Sequence, residues 1–322
     1  MAHFDIFNGD ADGICSLHQL RLAAPCEAAL VTGVKRDIAL LERVNAGAGD
    51  SATVLDISSD VNRAALLSLL ERGVNVQYFD HHGFGEVPAH PSLDAHIDTS
   101  PATCTGLIVD RWLGGRFRIW AIVAAFGDNF AQEAGKLAQG LSLSAAQTAA
   151  LQKLGECINY NAYGDNEDDL VMHPAELYTT LHGYADPFSF IAEEPVFARL
   201  LAARSEDLAL AQQVPPCHTL PGGSVVVFPD AAWSRRVRGI YANRRAASEP
   251  QKALAVATPN ACGAYTVSVR APLARRYGAD TVCTQFPTGG GRPAAAGITH
   301  LPAESLPAFI TAFERTFRCA AA

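Results

Sequence analysis

Four short apolar runs in the first eighty residues alternate with segments of helical periodicity, and three of those runs end in clustered acids or histidines. Residues 3–8 (His3, Phe4, Asp5, Ile6, Phe7, Asn8), Ala28–Thr32, Thr53–Ile57 and Asn75–Phe79 read as buried strands. Ile14–Ala24, Asp37–Asn45 and Val61–Arg72 carry apolar residues at helical spacing between them. Strands that alternate with helices predict an α/β domain with a parallel, doubly wound sheet. In such a sheet ligands bind beyond the carboxyl ends of the strands. Asp10 and Asp12 follow the first run, Asp56 closes the third, and Asp80, His81 and His82 follow the fourth. Carboxylates converging there repel one another and recruit cations.

Oxygen and imidazole donors without thiolate suit Mn²⁺ or Mg²⁺ better than a structural zinc, with Fe²⁺ and Co²⁺ as alternatives. With Asp128, the five carboxylates and two histidines exceed the needs of one ion. The expectation is therefore a pair of divalent ions, Mn²⁺ first among them, about 3.5–4 Å apart. Gly13 allows a sharp turn after Asp12, and Cys15 and Ser16 open the next helix.

A chain of 322 residues exceeds the usual domain of about 100–200, so two domains are expected. Residues Leu107–Ala211 carry a mostly alanine- and leucine-rich helical pattern, broken by an acidic loop at Gly164–Asp169. The breaker-rich stretch 214–223 reads as a linker between a metal-binding domain at 1–213 and a smaller α/β domain at 224–322. In the latter, Ser224–Phe228, Ala253–Ala257 and Tyr265–Arg270 are predicted strands, and Ser234–Ala247, Ala274–Phe286 and Ser305–Phe317 predicted helices. The two halves differ in charge. From Val214 onward there are 12 Lys plus Arg against 5 Asp plus Glu, net +7; before it, 13 against 28, net −15. An acidic half suits cations and an arginine-rich half suits anions, so the expected ligand is a phosphate held with metal ions between them.

Nearly half the residues are apolar and 18% are charged, which excludes a disordered or fibrous chain. A net charge of −8 argues against a protein that coats long nucleic acid. The longest apolar stretches, such as Ile119–Phe126, fall short of the roughly 20 residues of a membrane span, and with no signal-peptide pattern the expected location is the cytoplasm. The eight cysteines are scattered without close pairs, which predicts reduced, mostly buried thiols.

The triplet Asp80, His81, His82 resembles the signature of the DHH phosphoesterases. Four segments match that family in order: Asp10 with Asp12, Asp56, the triplet, and Asp128 in Ala125, Phe126, Gly127, Asp128. The run Gly289, Gly290, Gly291, Arg292 resembles the glycine-rich segment of the smaller DHH-associated (DHHA1-type) domain. The resemblance implies a binuclear, usually manganese, centre with Asp10, Asp12, Asp56, Asp80, His81 and Asp128 as ligands. It implies that His82 and Asp80 lie at the reacting phosphate and that Arg270 extends toward the substrate. Relatives carry His or Asp ahead of the first acidic pair where this chain has Ile6 and Asn8, and His where it has Arg292. Read without the family, three successive glycines permit close backbone approach, so Gly289, Gly290 and Gly291 can present N–H groups to an anion with Arg292 as clamp. His96, Asp98 and the segment Ser100–Thr103 lie near another expected strand end and read as structural.

The expected activity is metal-dependent hydrolysis of phosphoesters in short oligonucleotides or small nucleotides, as in nano-RNases and nucleotide phosphatases. The alternatives are a RecJ-like single-strand exonuclease and a nucleotide-binding regulator with little turnover. A small nucleotide or short oligonucleotide is the expected partner, and a homodimer is left open.

Overall fold

The computed structural model describes residues Met1–Arg318; Cys319 lies outside the described residues. The chain divides into two compact units, Met1–Ala202 and Ala203–Ala322.

The first unit is built on five parallel strands: β1 (His3–Phe7), β2 (Ala29–Val31), β3 (Ser51–Leu55), β4 (Asn75–Asp80) and β5 (Leu93–Ile97). Neighbouring side chains on a strand point to opposite faces, and the apolar runs supply both faces. Ile6 packs with Leu40, Val54, Leu66 and Tyr78 on one side. Phe7, Leu55 and Phe79 pack with Ile14, Leu17 and Trp120 on the other. Helices α1 (Ala11–Ala23) and α2 (Ser59–Glu71) lie in these two different layers. After β5 the unit continues as helices α3 (Thr105–Trp112), α4 (Arg118–Gly127), α5 (Ala131–Gly140), α6 (Ala145–Asn161), α7 (Pro174–His182) and α8 (Pro187–Glu193), and it ends within α9 (Pro195–Gln213).

The strand order is β2-β1-β3-β4-β5. The chain leaves β1 toward β2 on one side and returns to β3 on the other. The loops that follow β1 and β3 therefore diverge at a topological switch point, where open α/β sheets form their crevice.

The second unit carries a mixed sheet in the order β10-β11-β9-β8-β7-β6. Its strands are β6 (His218–Leu220), β7 (Gly223–Val227), β8 (Ala253–Pro259), β9 (Tyr265–Arg270), β10 (Gly289–Arg292) and β11 (Ala295–Leu301). β7 and β8 are parallel and the other pairs antiparallel. Helices α10 (Ala232–Ser248), α11 (Ala279–Cys283) and α12 (Leu306–Phe317) complete it, with Phe309 and Phe313 of α12 buried against Val225, Val267 and Val269.

Three segments differ from their sequence-based reading. Asp37–Asn45 forms only a 3₁₀ turn at Leu40–Arg43, because Asn62 takes up the Leu41 N–H (3.2 Å) and the Ile38 carbonyl (2.6 Å) that a helix would use. Ala274–Phe286 is helical only over α11; Arg276 (φ +46°) and Gly278 (φ +108°) adopt left-handed backbone that no α-helix tolerates. In the stretch 214–223, His218–Leu220 pairs with β7 as an edge strand, and the division between the units falls within α9. Cys15, Cys104, Cys157 and Cys283 are buried, whereas Cys26, Cys217 and Cys262 are exposed, and all seven are free thiols. Among the described residues no helix is long and apolar enough to cross a membrane.

Candidate metal centre

The acids of the crevice are held in place by backbone N–H groups. Asp10 caps α1, its Oδ1 accepting from the N–H groups of Asp12 (3.0 Å) and Gly13 (3.1 Å). Asp12, in the first turn of α1, is fully buried and faces the start of α3. Its Oδ2 accepts from Thr105 N–H and its Oδ1 from Gly106 N–H, each at 2.7 Å. A carboxylate at a helix N-terminus meets both unpaired amides and the positive end of the helix dipole, which stabilises its charge. Thr105 also donates its hydroxyl to Asp56 Oδ1 at 3.2 Å.

Asp56 sits just beyond β3 with φ +60°. A non-glycine residue held there costs about 1–3 kcal/mol and persists only where its surroundings over-determine it. Here its N–H is tied to the Phe79 carbonyl (3.0 Å) and its side chain to Thr105.

Asp80 ends β4 and is fully buried. Its Oδ1 lies 2.7 Å from His82 Nδ1, while its Oδ2 is buried without a hydrogen-bond partner. His81 Nε2 lies 3.4 Å from Asp56 Oδ1, 3.7 Å from Asp128 Oδ2 and 3.9 Å from Asp12 Oδ2. Asp128 follows α4, which brings it back over the crevice. Two sets of ligand atoms lie close enough to share an ion: Asp56, His81 and His82, and Asp12, His81 and Asp128.

One participant had no sequence signal. Lys35, beyond β2, places Nζ against Asp10 Oδ2, 3.1 Å from Asp128 Oδ1 and 3.4 Å from Asn159 Oδ1. The loop bearing it presses on the β1 loop so closely that a Cβ on Gly9 would lie 2.1 Å from the Gly33 carbonyl oxygen.

The acids perturb one another as unneutralised charges must. Burial, and then Asp12, Asp10 and Asp128, push the Asp56 carboxyl well above its usual range. Burial raises Asp128 to about 6, with Lys35 opposing and Asp12 and Asp10 adding to the rise. Burial would raise Asp10 as well, but the Lys35 ammonium outweighs it and holds Asp10 low. The hydrogen bond to Asp80 raises His82 above the usual imidazole value. Burial and Asp12 push the nearby Cys15 and Cys104 thiols well above their usual range, so neither offers a thiolate.

The donor set is thus carboxylate and imidazole, with a buried Asp80 oxygen that has no hydrogen-bond partner among the described residues. It fits a hard divalent cation such as Mn²⁺ or Mg²⁺.

The anion-binding candidates belong to the second unit. Gly289–Arg292 form β10, the edge strand of that sheet, paired with β11. Two of the glycines answer to packing: a Cβ on Gly289 would meet the Cys283 carbonyl oxygen at 1.7 Å, and one on Gly291 (φ +137°) the Ala296 Cα at 2.5 Å. Gly290 has open space and Arg292 is exposed. Arg270 Nε donates to Asn243 Oδ1 at 2.7 Å. Arg235 and Arg236 pair with Asp230 and Asp207, and Arg238 with Thr258. His96 lies within β5 and stacks on Phe79, a structural role. Asp98 pairs with Arg111. Asp165, in the acidic loop, pairs with Arg36.

The first unit is thus a doubly wound parallel sheet with a carboxylate and histidine cluster at its switch point, and a smaller mixed-sheet unit follows it in the chain. Solved structures share this fold. Exonuclease RecJ bound to manganese matches over 98% of this chain and 89% of its own, with a TM-score of 0.61 and 18% identity. RecJ of Thermus thermophilus in complex with Mn²⁺ matches at 0.57 and 18% identity, and this chain spans about half of it (51%). The pGpG-specific phosphodiesterase PggH of Vibrio cholerae matches over 100% of both chains at 0.56 and 12% identity. No protein-family model matches the sequence, and no curated protein matches it.

Proposed function

We propose that this protein is a divalent-metal-dependent phosphoesterase that hydrolyses short oligonucleotides or small nucleotides. The observation that carries the reading is the convergence of the Asp56, Asp128 and Asp12 carboxylates on His81 Nε2, at 3.4, 3.7 and 3.9 Å. Asp80 adds a buried Oδ2 with no hydrogen-bond partner among the described residues, and a buried polar atom left unsatisfied is costly.

Asp56, Asp80, His81, Asp12 and Asp128 would hold the metal. When bound, a divalent cation polarises phosphoryl oxygens and lowers the pKa of water at the site. His82 is 44% exposed at the rim, and its bond to Asp80 fixes the ring and favours its protonated form. It is suited to hand a proton to the leaving oxygen. Thr105 and the α3 amides keep Asp12 and Asp56 oriented without consuming the histidines. In the second unit we assign Arg270 and Arg292, with the Gly289–Gly291 edge, to substrate phosphates.

The short substrate is preferred on the likeness to PggH, named for pGpG, which matches over the whole of both chains. The test is mononucleotide release from pGpG, pApA and a long single-stranded DNA with Mn²⁺, alongside Asp80→Ala. Turnover of the dinucleotides that the variant loses is expected. Cleavage confined to the long strand would make it an exonuclease, and nucleotide binding without turnover under Mn²⁺, Mg²⁺ or Co²⁺ would make it a binding protein.

A further inference from the structure

We propose that the Lys35 ammonium takes the place of one cation in this cluster, so that the site holds a single divalent ion centred on His81 rather than a pair. The inference rests on the metal-centre reading above and concerns the number of ions.

The ligand atoms decide it. Asp10 is the most heavily used: its Oδ1 accepts two N–H groups of the α1 cap and its Oδ2 is bonded to the Lys35 ammonium, which repels a second cation there. Asp128 gives Oδ1 to Lys35 at 3.1 Å, which leaves Oδ2, 3.7 Å from His81. Each oxygen of Asp12 already accepts an amide of α3. What remains around His81 Nε2 is Asp56, Asp128 Oδ2 and a second lone pair on Asp12. Both sets of ligand atoms close enough to share an ion include His81. Its Nε2 faces Asp12, Asp56 and Asp128 together and has one lone pair for one ion. A second ion would have to draw on Asp10 and the outer oxygen of Asp128, where a positive charge is already bonded.

Lys35 is held at that corner by its backbone. Its N–H donates to the Ala162 carbonyl at 2.9 Å and its carbonyl accepts from Asn8 Nδ2 at 3.3 Å. The other end of the Asn8 amide accepts from Asp10 N–H at 3.3 Å, so a buried Asn8 clips the lysine loop to the acid it neutralises. An aspartate there would lack the donor for Lys35 and would add a further negative charge. A compact ammonium with three donors suits the work, since Asp10, Asp128 and Asn159 each offer it an acceptor.

The test is a metal count on the full chain, dialysed against Mn²⁺ and measured by elemental analysis, with an electron paramagnetic resonance spectrum of the loaded protein. One Mn²⁺ per chain with the spectrum of an isolated ion is expected. Lys35→Met should double the count and give a spin-coupled pair; Lys35→Gln serves if the methionine variant does not fold. Two ions in the unaltered protein would overturn the proposal, as would a count of one that neither substitution raises. No bound Mn²⁺ at all would instead sink the metal-centre reading itself.

Discussion

His82 Nδ1 lies 2.7 Å from Oδ1 of Asp80, and the opposite oxygen of that carboxylate is buried without a partner. One carboxylate thus orients a rim histidine with one oxygen and leaves the other for a cation. His82→Gln should lower kcat on a dinucleotide by about 10²–10⁴-fold, the usual contribution of a general acid, with Mn²⁺ per chain unchanged. Asp80→Asn should lose both. Equal metal loss in the two variants would show that His82 acts as a ligand and not as a proton donor.

Asp5 and Arg21 form a buried pair beneath the crevice, with Thr53 and His3 completing the bonds. Burial would raise Asp5, but its bonds to Arg21 and His3 prevail and hold it below its usual value. A depressed carboxyl stabilises the fold above its unfolded pKa of 3.8, and that stability is lost as pH falls through the lower folded value. Arg21→Met strands a buried charge and should cost about 3–5 kcal/mol in urea unfolding at neutral pH, whereas Arg21→Met with Asp5→Leu should recover most of it.

His18 is fully buried, edge-on to Trp120, with its ring nitrogens 3.2 Å from His182 Nδ1 and 3.0 Å from the Tyr184 carbonyl oxygen. Burial first, then His182, lowers it to about 3. The unfolded chain takes up this proton below pH 6.5 while the folded chain does not until about 3. Stability should therefore fall by roughly 1.4 kcal/mol per pH unit as pH drops from 6.5 toward 3. Urea midpoints between pH 7.5 and 5 check it, and His18→Gln should flatten the slope.

Gly291→Ala should destabilise the second unit by about 1–3 kcal/mol, because φ +137° and the Ala296 backbone both exclude a Cβ. Gly290→Ala, with open space, should stay within about 0.5 kcal/mol. If Gly290→Ala nevertheless weakens substrate binding, the strand edge contacts the phosphate; if it changes nothing, the glycine run is a packing device alone.

Much of this architecture is legible along the chain. The apolar runs at β1, β3 and β4 match their strands within a residue or two, since a strand buried on both faces must be apolar throughout. Asp12, Asp56 and His81 come together because strand ends in a parallel sheet share one edge, whereas Asp128 arrives from the end of α4 and was expected only from the family resemblance. The 3₁₀ turn at Leu40–Arg43 was not legible, because it depends on Asn62, which is brought in by a different helix.

By itself the sequence determined the parallel α/β class, the edge at which chemistry gathers and the acids and histidines found there, all consequences of local periodicity and of residue types at strand ends. Only the tertiary structure decided which oxygens stay free. Lys35 reaches Asp10 and Asp128 across 25 and 93 residues, the amides of α3 occupy Asp12, and the glycine run becomes an edge strand. These outcomes depend on long-range partners, and a lysine in a loop carries no periodicity that would reveal which carboxylate it neutralises.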